Sequence, residues 1–290
     1  FQKIGDSLYV QNFGGGYLNT RIKGLSAFIQ ENIDIINDFD AVLALGDNNR
    51  FTNKHNNKIF YSGPVMTVNY QSSDVLKMEN TNQFVLIPDS YVLKGKDYNK
   101  KIDTLNKTFD QLDFDKAKDQ AVFRGSLNSD SRKAARSLAS QFPEDLDVAF
   151  NADRKYLSIS DQAGYKYIIS LDGHASSWSR PEVICFTKSL LLYQTEYVQW
   201  FQPALVPFVH YLPLKKDLSD LMEKIEWARN HTEEVKEIIK NQNEIANNCF
   251  TPKKIEEQTL YILQKYAEQF TYNITKKDFT PYAEFTKPKS

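Results

Sequence analysis

Near the start of the chain, apolar residues recur at Ile22, Leu25, Ile29, Ile33 and Ile36. Spacings of three and four place them on one face of an amphipathic helix, which Asn37 and Asp38 end. A short strand over residues 8–11 and the turn Gly14, Gly15, Gly16 precede it. The period then changes. Ala41, Val42, Leu43, Ala44 and Leu45 form a continuous apolar run, which predicts a strand buried on both faces of a parallel sheet. Val65–Tyr70 and Phe84–Ile87 predict further strands, the second closed by Pro88 and Asp89. Lys94 to Lys118 is dense in Lys and Asp and reads as a linker with some helix.

Beyond it the alternation restarts. Strands are predicted at Ala121–Phe123, Tyr167–Leu171, Ser189–Leu192 and Phe208–Tyr211. Helices are predicted at Arg132–Phe142, with Ala135, Leu138, Ala139 and Phe142 inward, at Ser219–Arg229 and over residues 254–270. Another opens at Pro181, which suits a first helical turn. Thr232 caps one more, with Glu233 and Glu234 in its first turn and Val235, Ile238, Ile239 and Ile245 on its inner face. The pattern thus gives two α/β halves, residues 1–115 and 116–254.

Composition narrows the partners. The chain has 290 residues, 41% hydrophobic and 25% charged, with a net charge of −1 and a pI near 6.5. No global basic field points to nucleic acid or an anionic membrane, although a few Arg in a local pocket would not show in the total. No run of about 18 apolar residues predicts a transmembrane helix. Cys185 lies in an apolar run and Cys249 at a helix end, so each reads as a small buried apolar residue rather than half of a disulfide. Scarce Cys favours a cytoplasmic setting, bacterial or in a virus-infected cell, over a secretory lumen. The sequons at Asn106, Asn230 and Asn273 carry little weight in an Asn-rich chain.

Two blocks stand out. Residues 121–126 end in Phe123, Arg124, Gly125 and Ser126, and residues 165–180 run through Leu171, Asp172, Gly173 and His174 to Ser177 and Arg180. Each is a β-run ending in small residues and opening a helix with Arg near its start, which is how α/β proteins hold phosphate. Arg21, Arg124, Arg132 and Arg180 are the candidate phosphate ligands, since a planar guanidinium bonds phosphate oxygens bidentately and stays charged. Arg124 reads equally as a scaffold residue paired to a carboxylate. Asp172, with Gly173, forms a turn or meets hydroxyls of a ligand, and His174 is a weaker contact. Asp47 follows the 41–45 run, where open α/β sheets place working residues and a carboxylate could act as a general base; on the residues alone it reads as an Asx turn with its Asn neighbours. The four His and two Cys show no metal spacing. Asp38 with Asp40, and Asp145 with Asp147, have the Asp-X-Asp spacing of a Mn²⁺ dyad but sit at connections, where they solvate loops.

These blocks, with His210, Tyr211, Leu212, Pro213 and Leu214 followed by Asp217, Leu218 and Ser219, resemble glycosyltransferase family 90, from about Arg21 to about Thr275. That family includes Rumi-type protein O-glucosyl- and O-xylosyltransferases, fungal capsule xylosyltransferases and lipopolysaccharide-modifying enzymes. The resemblance implies a GT-B-type α/β fold, two Rossmann-like domains facing a cleft, with the C-terminal helix crossing back so that residues 255–290 join the first domain. The first domain would take the acceptor and the second the nucleotide sugar. It implies an inverting, metal-independent transfer of xylose or glucose from a UDP-sugar to a hydroxyl of a glycan acceptor: a polysaccharide, a lipopolysaccharide or a glycoprotein glycan. UDP-sugar is a substrate and no cofactor is expected. Asp47 would be the base and Arg132 would meet the diphosphate, joined by Arg180, Ser126 and Ser177. Here Asp47 stands in Gly46, Asp47, Asn48, Asn49, where Rumi-type members have Arg-Asp-Tyr-Pro, which leaves the acceptor open. The rival is an inactive member that binds nucleotide or glycan without turnover.

Overall fold

A computed structural model describes residues 1–10, 18–45, 65–72, 84–270, 274–275 and 280–281. The chain divides into two compact units, Phe1–Gly95 with Pro252–Ser290, and Lys96–Thr251.

The first unit holds two sheets. Strands β1 (Gln2–Ile4), β2 (Ser7–Val10), β3 (Phe39–Asp40) and β14 (Thr280–Pro281) form an antiparallel sheet in the order β14-β2-β1-β3. Strands β4 (Val42–Ala44), β5 (Val65–Thr67) and β7 (Phe84–Leu86) form a parallel one in that order, and β6 (Asn69–Gln71) is a separate short strand. Helix α1 (Leu18–Glu31) buries Ile22, Leu25 and Ile29 as its spacing requires, together with Phe28. The 41–45 run was expected to be buried on both faces. Instead β4 is an edge strand among the described residues, and Val42 is 45% exposed. Helix α8 (Pro252–Ala267) joins this unit through apolar contacts. Its Tyr266 ring meets Phe39 edge-on at 6.1 Å, and the Tyr266 hydroxyl donates to the Asp40 carbonyl at 3.1 Å.

The second unit is built on one parallel sheet of five strands, in the order β13-β11-β10-β8-β9. They are β8 (Lys118–Gly125), β9 (Leu146–Phe150), β10 (Tyr165–Leu171), β11 (Leu190–Gln194) and β13 (Leu212–Pro213); β12 (Tyr197–Gln199) stands apart from it. Alternate residues face opposite sides, so Ala121 and Phe123 join one apolar layer and Val122 lies on the other side; all three are fully buried. Ala121, Tyr167, Ile169, Leu190 and Leu192 pack with Leu221, Ile225, Val235, Ile238 and Ile239 from α6 (Leu221–Asn230) and α7 (Thr232–Ile245). Gln242 of α7 is buried and satisfied: it accepts from Leu191 N at 3.1 Å and donates to the Ser189 carbonyl at 3.0 Å.

The unit boundary differs from the one the pattern suggested. Residues 96–115 belong to the second unit, because α2 (Lys96–Thr108) is a true amphipathic helix. It buries Tyr98, Ile102 and Leu105, and the Tyr98 hydroxyl donates to the Phe250 carbonyl at 2.6 Å. Phe208–Tyr211 was expected to be a strand. It is a turn, with Phe208 at a φ of 62° and Tyr211 bridged back to Pro207, and pairing with β11 begins at Leu212.

Candidate functional site

Parallel pairing puts the carboxyl ends of β8 and β10 at one edge of the sheet: Tyr167 lies opposite Ala121 and Ile168 opposite Val122. From these neighbouring strands the chain leaves in opposite directions. After β8 it passes through α3 (Asp130–Gln141) to β9 on one side. After β10 it passes through α5 (Arg180–Ile184) to β11 on the other, whereas α4 (Ile159–Gln162) only links β9 to β10. That reversal is the topological switch point, where open α/β sheets form their binding crevice.

Helix α3 begins there. Ser129 is its N-cap, accepting from Arg132 N at 3.4 Å and donating to the Asp172 carbonyl at 2.8 Å, so one hydroxyl ties the helix start to the end of β10. Arg132, nearly buried, donates to the Ser126 carbonyl and to Asn128 Oδ1, each at 2.9 Å, and to the Leu171 carbonyl at 2.9 Å. All these acceptors are neutral. Burial lowers the pKa of Arg132 from its ordinary value, and the charge of Asp172 opposes that.

Arg180 comes from the next turn. Ser179, its N-cap, has a φ of 53°, an uncommon conformation for a residue with a side chain. Arg180 donates to the Arg124 carbonyl, another neutral acceptor. Burial, and then the neighbouring charge of Arg132, lower its pKa to about 10. Both guanidiniums lie over the ring of Phe123, at 5.4 Å for Arg132 and 4.9 Å for Arg180. Neither forms an ion pair with a carboxylate among the described residues.

Asp172 closes the edge. Its Oδ2 accepts from Glu196 N at 2.7 Å and from Gln194 Nε2 at 3.5 Å, while Oδ1 is buried with no hydrogen bond. Burial raises its pKa to about 7, the Glu196 N–H pulling the other way. Gly173 leaves room for Arg132: a Cβ there would lie 3.2 Å from Nη2 and 3.3 Å from Cζ. The group can therefore present two fixed cations, a polar turn and a carboxyl that titrates near neutrality.

Ser126, Arg132, Asp172, Gly173 and Arg180 are thus brought together. The Arg124 side chain is not turned the same way: its Nη2 pairs with Asp147 Oδ1 at 2.7 Å and its Nη1 donates to the Asp147 carbonyl at 2.7 Å, the scaffold alternative. Ser177 is buried in the turn before Arg180, and the His174 side chain is exposed. Arg21 lies in the first unit, where Asp89 holds it at 2.9 Å and it also donates to the Leu45 carbonyl. Asp47 lies outside the described residues. Both Asp-X-Asp spacings are occupied by protein contacts: Asp38 with Lys3 at 3.2 Å, Asp40 with Gln2 at 3.3 Å, Asp145 with Arg229 at 2.8 Å and Asp147 with Arg124. Among the described residues no group of three His, Cys, Asp or Glu could hold a metal, and no helix is long and apolar enough to cross a membrane.

Sequence reasoning missed Phe123, Asn128, Ser129 and Gln194 as parts of this site. Ser129 was legible, since a Ser just before a helix start is an N-cap. The other three act through contacts that only the fold creates.

Comparison with known proteins bears on the chain as a whole. The model of glycosyl transferase family 90 matches residues 2–284. Human protein O-glucosyltransferase 3 is 29% identical over 163 residues, 52% of this chain and 32% of that protein. Rat protein O-glucosyltransferase 1 is 26% identical over 184 residues, 58% of this chain and 46% of that protein. The chain therefore spans less than half the length of these relatives. The structure of a glycosyltransferase from Rickettsia africae superposes over 89% of this chain and 83% of that one, at 11% identity and a TM-score of 0.45. Anabaena HepE, solved with UDP and glucose, does so over 86% and 76%, at 10% identity and 0.46.

Proposed function

We propose the following for this chain, which belongs to glycosyl transferase family 90: it transfers glucose or xylose from a UDP-sugar to a hydroxyl of a glycan acceptor, with inversion. The observation that carries this reading is the pair of guanidiniums at the switch point of the second unit, bonded only to neutral acceptors among the described residues. Two neighbouring guanidiniums withdrawn from water and bonded to neutral acceptors are costly to keep charged, and a diphosphate carries the charge and the oxygens to offset that. The relatives are named O-glucosyltransferases, which supports glucose as the sugar and leaves the glycan acceptor to the proposal.

In this mechanism Arg132 and Arg180 take up the charge that develops on the departing UDP. Their fixed positions make them effective, because nothing has to reorient as charge moves. The buried Oδ1 of Asp172 accepts a hydroxyl of the donor sugar, beside Gly173. Asp47 takes the proton of the acceptor hydroxyl as that oxygen attacks the anomeric carbon from the face opposite UDP, the C–O bond to UDP breaking as the new one forms. Arg and backbone N–H groups do the work a metal ion does elsewhere, so transfer proceeds without a divalent cation.

The test is release of UDP from a panel of UDP-sugars, with glycan acceptors, with and without EDTA. UDP is expected from UDP-glucose or UDP-xylose, EDTA having no effect. Asp47→Asn should abolish turnover and leave UDP binding intact. Arg132→Met should weaken UDP binding about a hundredfold, as loss of one charged donor at such a site does. Binding without turnover across the acceptor panel would mark a nucleotide-binding member instead. Failure to bind any UDP-sugar would overturn the reading.

A further inference from the structure

Phe123 touches no solvent, belongs to the core layer of the second unit, and yet has both site guanidiniums against its ring. Two like charges side by side repel. Ordinarily a carboxylate between them would hold them, but it would also cancel the charge that a phosphate needs. A ring face attracts cations through its quadrupole without neutralising them. We propose that Phe123 is a positioning residue: its ring sets Arg132 and Arg180 at a fixed separation, so that together they clamp a ligand with two adjacent phosphates rather than one. The inference rests on the UDP-sugar reading.

Three further observations support it. The hydrogen bonds of the two Arg go to Ser126, Leu171 and Arg124 carbonyls and to the Asn128 amide oxygen, which fix direction but supply no counter-charge. Gly125 leaves the space the ring occupies: a Cβ there would lie 2.9 Å from Cζ and 3.2 Å from Cε1 of Phe123, and 3.6 Å from Arg132 Nη1. The ring is itself held, tilted against Phe150 with centroids 5.7 Å apart. It is therefore a fixed platform, locked on one side by Phe150 and on another by an absent side chain.

A purely structural role for Phe123 would weaken all nucleotide binding together. The clamp role weakens diphosphate selectively. The test is the ratio of UDP to UMP affinity, by calorimetry, in wild type, Phe123→Leu, Phe123→Tyr and Gly125→Ala, with thermal unfolding followed alongside. Phe123→Leu should lose about tenfold or more in UDP affinity and change UMP affinity little, so the ratio collapses. Phe123→Tyr keeps a ring and should keep the ratio. Gly125→Ala moves the ring and should lower the ratio, and it decides the matter should Phe123→Leu fail to fold. An unchanged ratio in a folded Phe123→Leu or Gly125→Ala overturns the clamp and leaves the donor reading standing. Wild type that binds neither UDP nor inorganic pyrophosphate overturns both.

Discussion

Arg21 in the first unit and the Arg132–Arg180 pair in the second are all arginines at the edge of a parallel-sheet region, and they differ in what faces them. Arg21 is 1% exposed, and Asp89 meets it with two contacts, Nε to Oδ1 at 3.3 Å and Nη2 to Oδ2 at 2.9 Å. Arg132 and Arg180 meet carbonyls, an amide and a ring. The first arrangement spends its charge inside the fold. The second leaves it without an ion pair among the described residues, as the proposed diphosphate role requires. On that proposal, counter-charge rather than residue type or burial separates a scaffold arginine from a binding one.

The sharpest test is to remove Arg21. Arg21→Met should cost about 3–5 kcal/mol of stability, because it removes both guanidinium contacts to the largely buried Asp89 carboxylate. Arg21→Met with Asp89→Leu should recover most of it, since replacing both partners of a buried pair by apolar groups is often neutral. Urea unfolding of the single and double variants reads this directly. A single variant as stable as wild type would show that the pair is not the scaffold it looks like.

Asp172 is the carboxyl that could erase the contrast, because its charge would compensate Arg132. Its folded pKa, about 7, is raised above the ordinary carboxylate value by burial. A raised acid favours the protonated fold: the stabilisation is complete below about pH 4, is lost as pH rises toward 7, and is level above that, amounting to roughly 4 kcal/mol at most. Asp172→Asn should match wild type near pH 4 and exceed it at pH 8, in unfolding experiments at both. A difference that does not depend on pH would mean that Asp172 is already ionised in the fold, and the second cluster would then be compensated after all.

The sequence carried the ends of β8 and β10 clearly. Runs of apolar residues closing in Gly125, Ser126 and in Asp172, Gly173 announced two strand-to-helix turns, and Arg132 and Arg180 fell where those helices begin. It could not sort the arginines, because the partner that settles Arg21 is 68 positions away and Asp147 is 23 positions from Arg124. Strand β9 stayed hidden for a related reason: Asp147 interrupts Leu146–Phe150 and makes it look like a polar connection, until pairing with Arg124 explains the charge. In α2, Tyr98, Ile102 and Leu105 had the helical spacing, but the surrounding Lys and Asp masked it. At Phe208–Tyr211 local β-propensity lost to turn geometry, and the edge strand that follows tolerates Pro213 because an edge leaves one side of its backbone unpaired.

Arg124 sits between the two cases and gives the smallest effect. Its carbonyl serves Arg180, while its guanidinium serves Asp147. Burial pushes the Asp147 carboxyl up, but the Tyr165 hydroxyl and the Arg124 guanidinium outweigh it and hold the pKa below the ordinary range. A depressed acid stabilises the fold above its ordinary pKa and loses that contribution as pH falls through the folded value. The pair is partly exposed, so the contribution is about 1 kcal/mol or less. Asp147→Asn should therefore be slightly less stable than wild type at pH 7 and equal to it near pH 2, and UDP affinity should stay within about twofold. A tenfold loss of UDP affinity, about 1.4 kcal/mol, would mean that the Arg124 side chain belongs with the binding arginines, held for the ligand by a carboxylate, and that counter-charge alone does not divide the two classes.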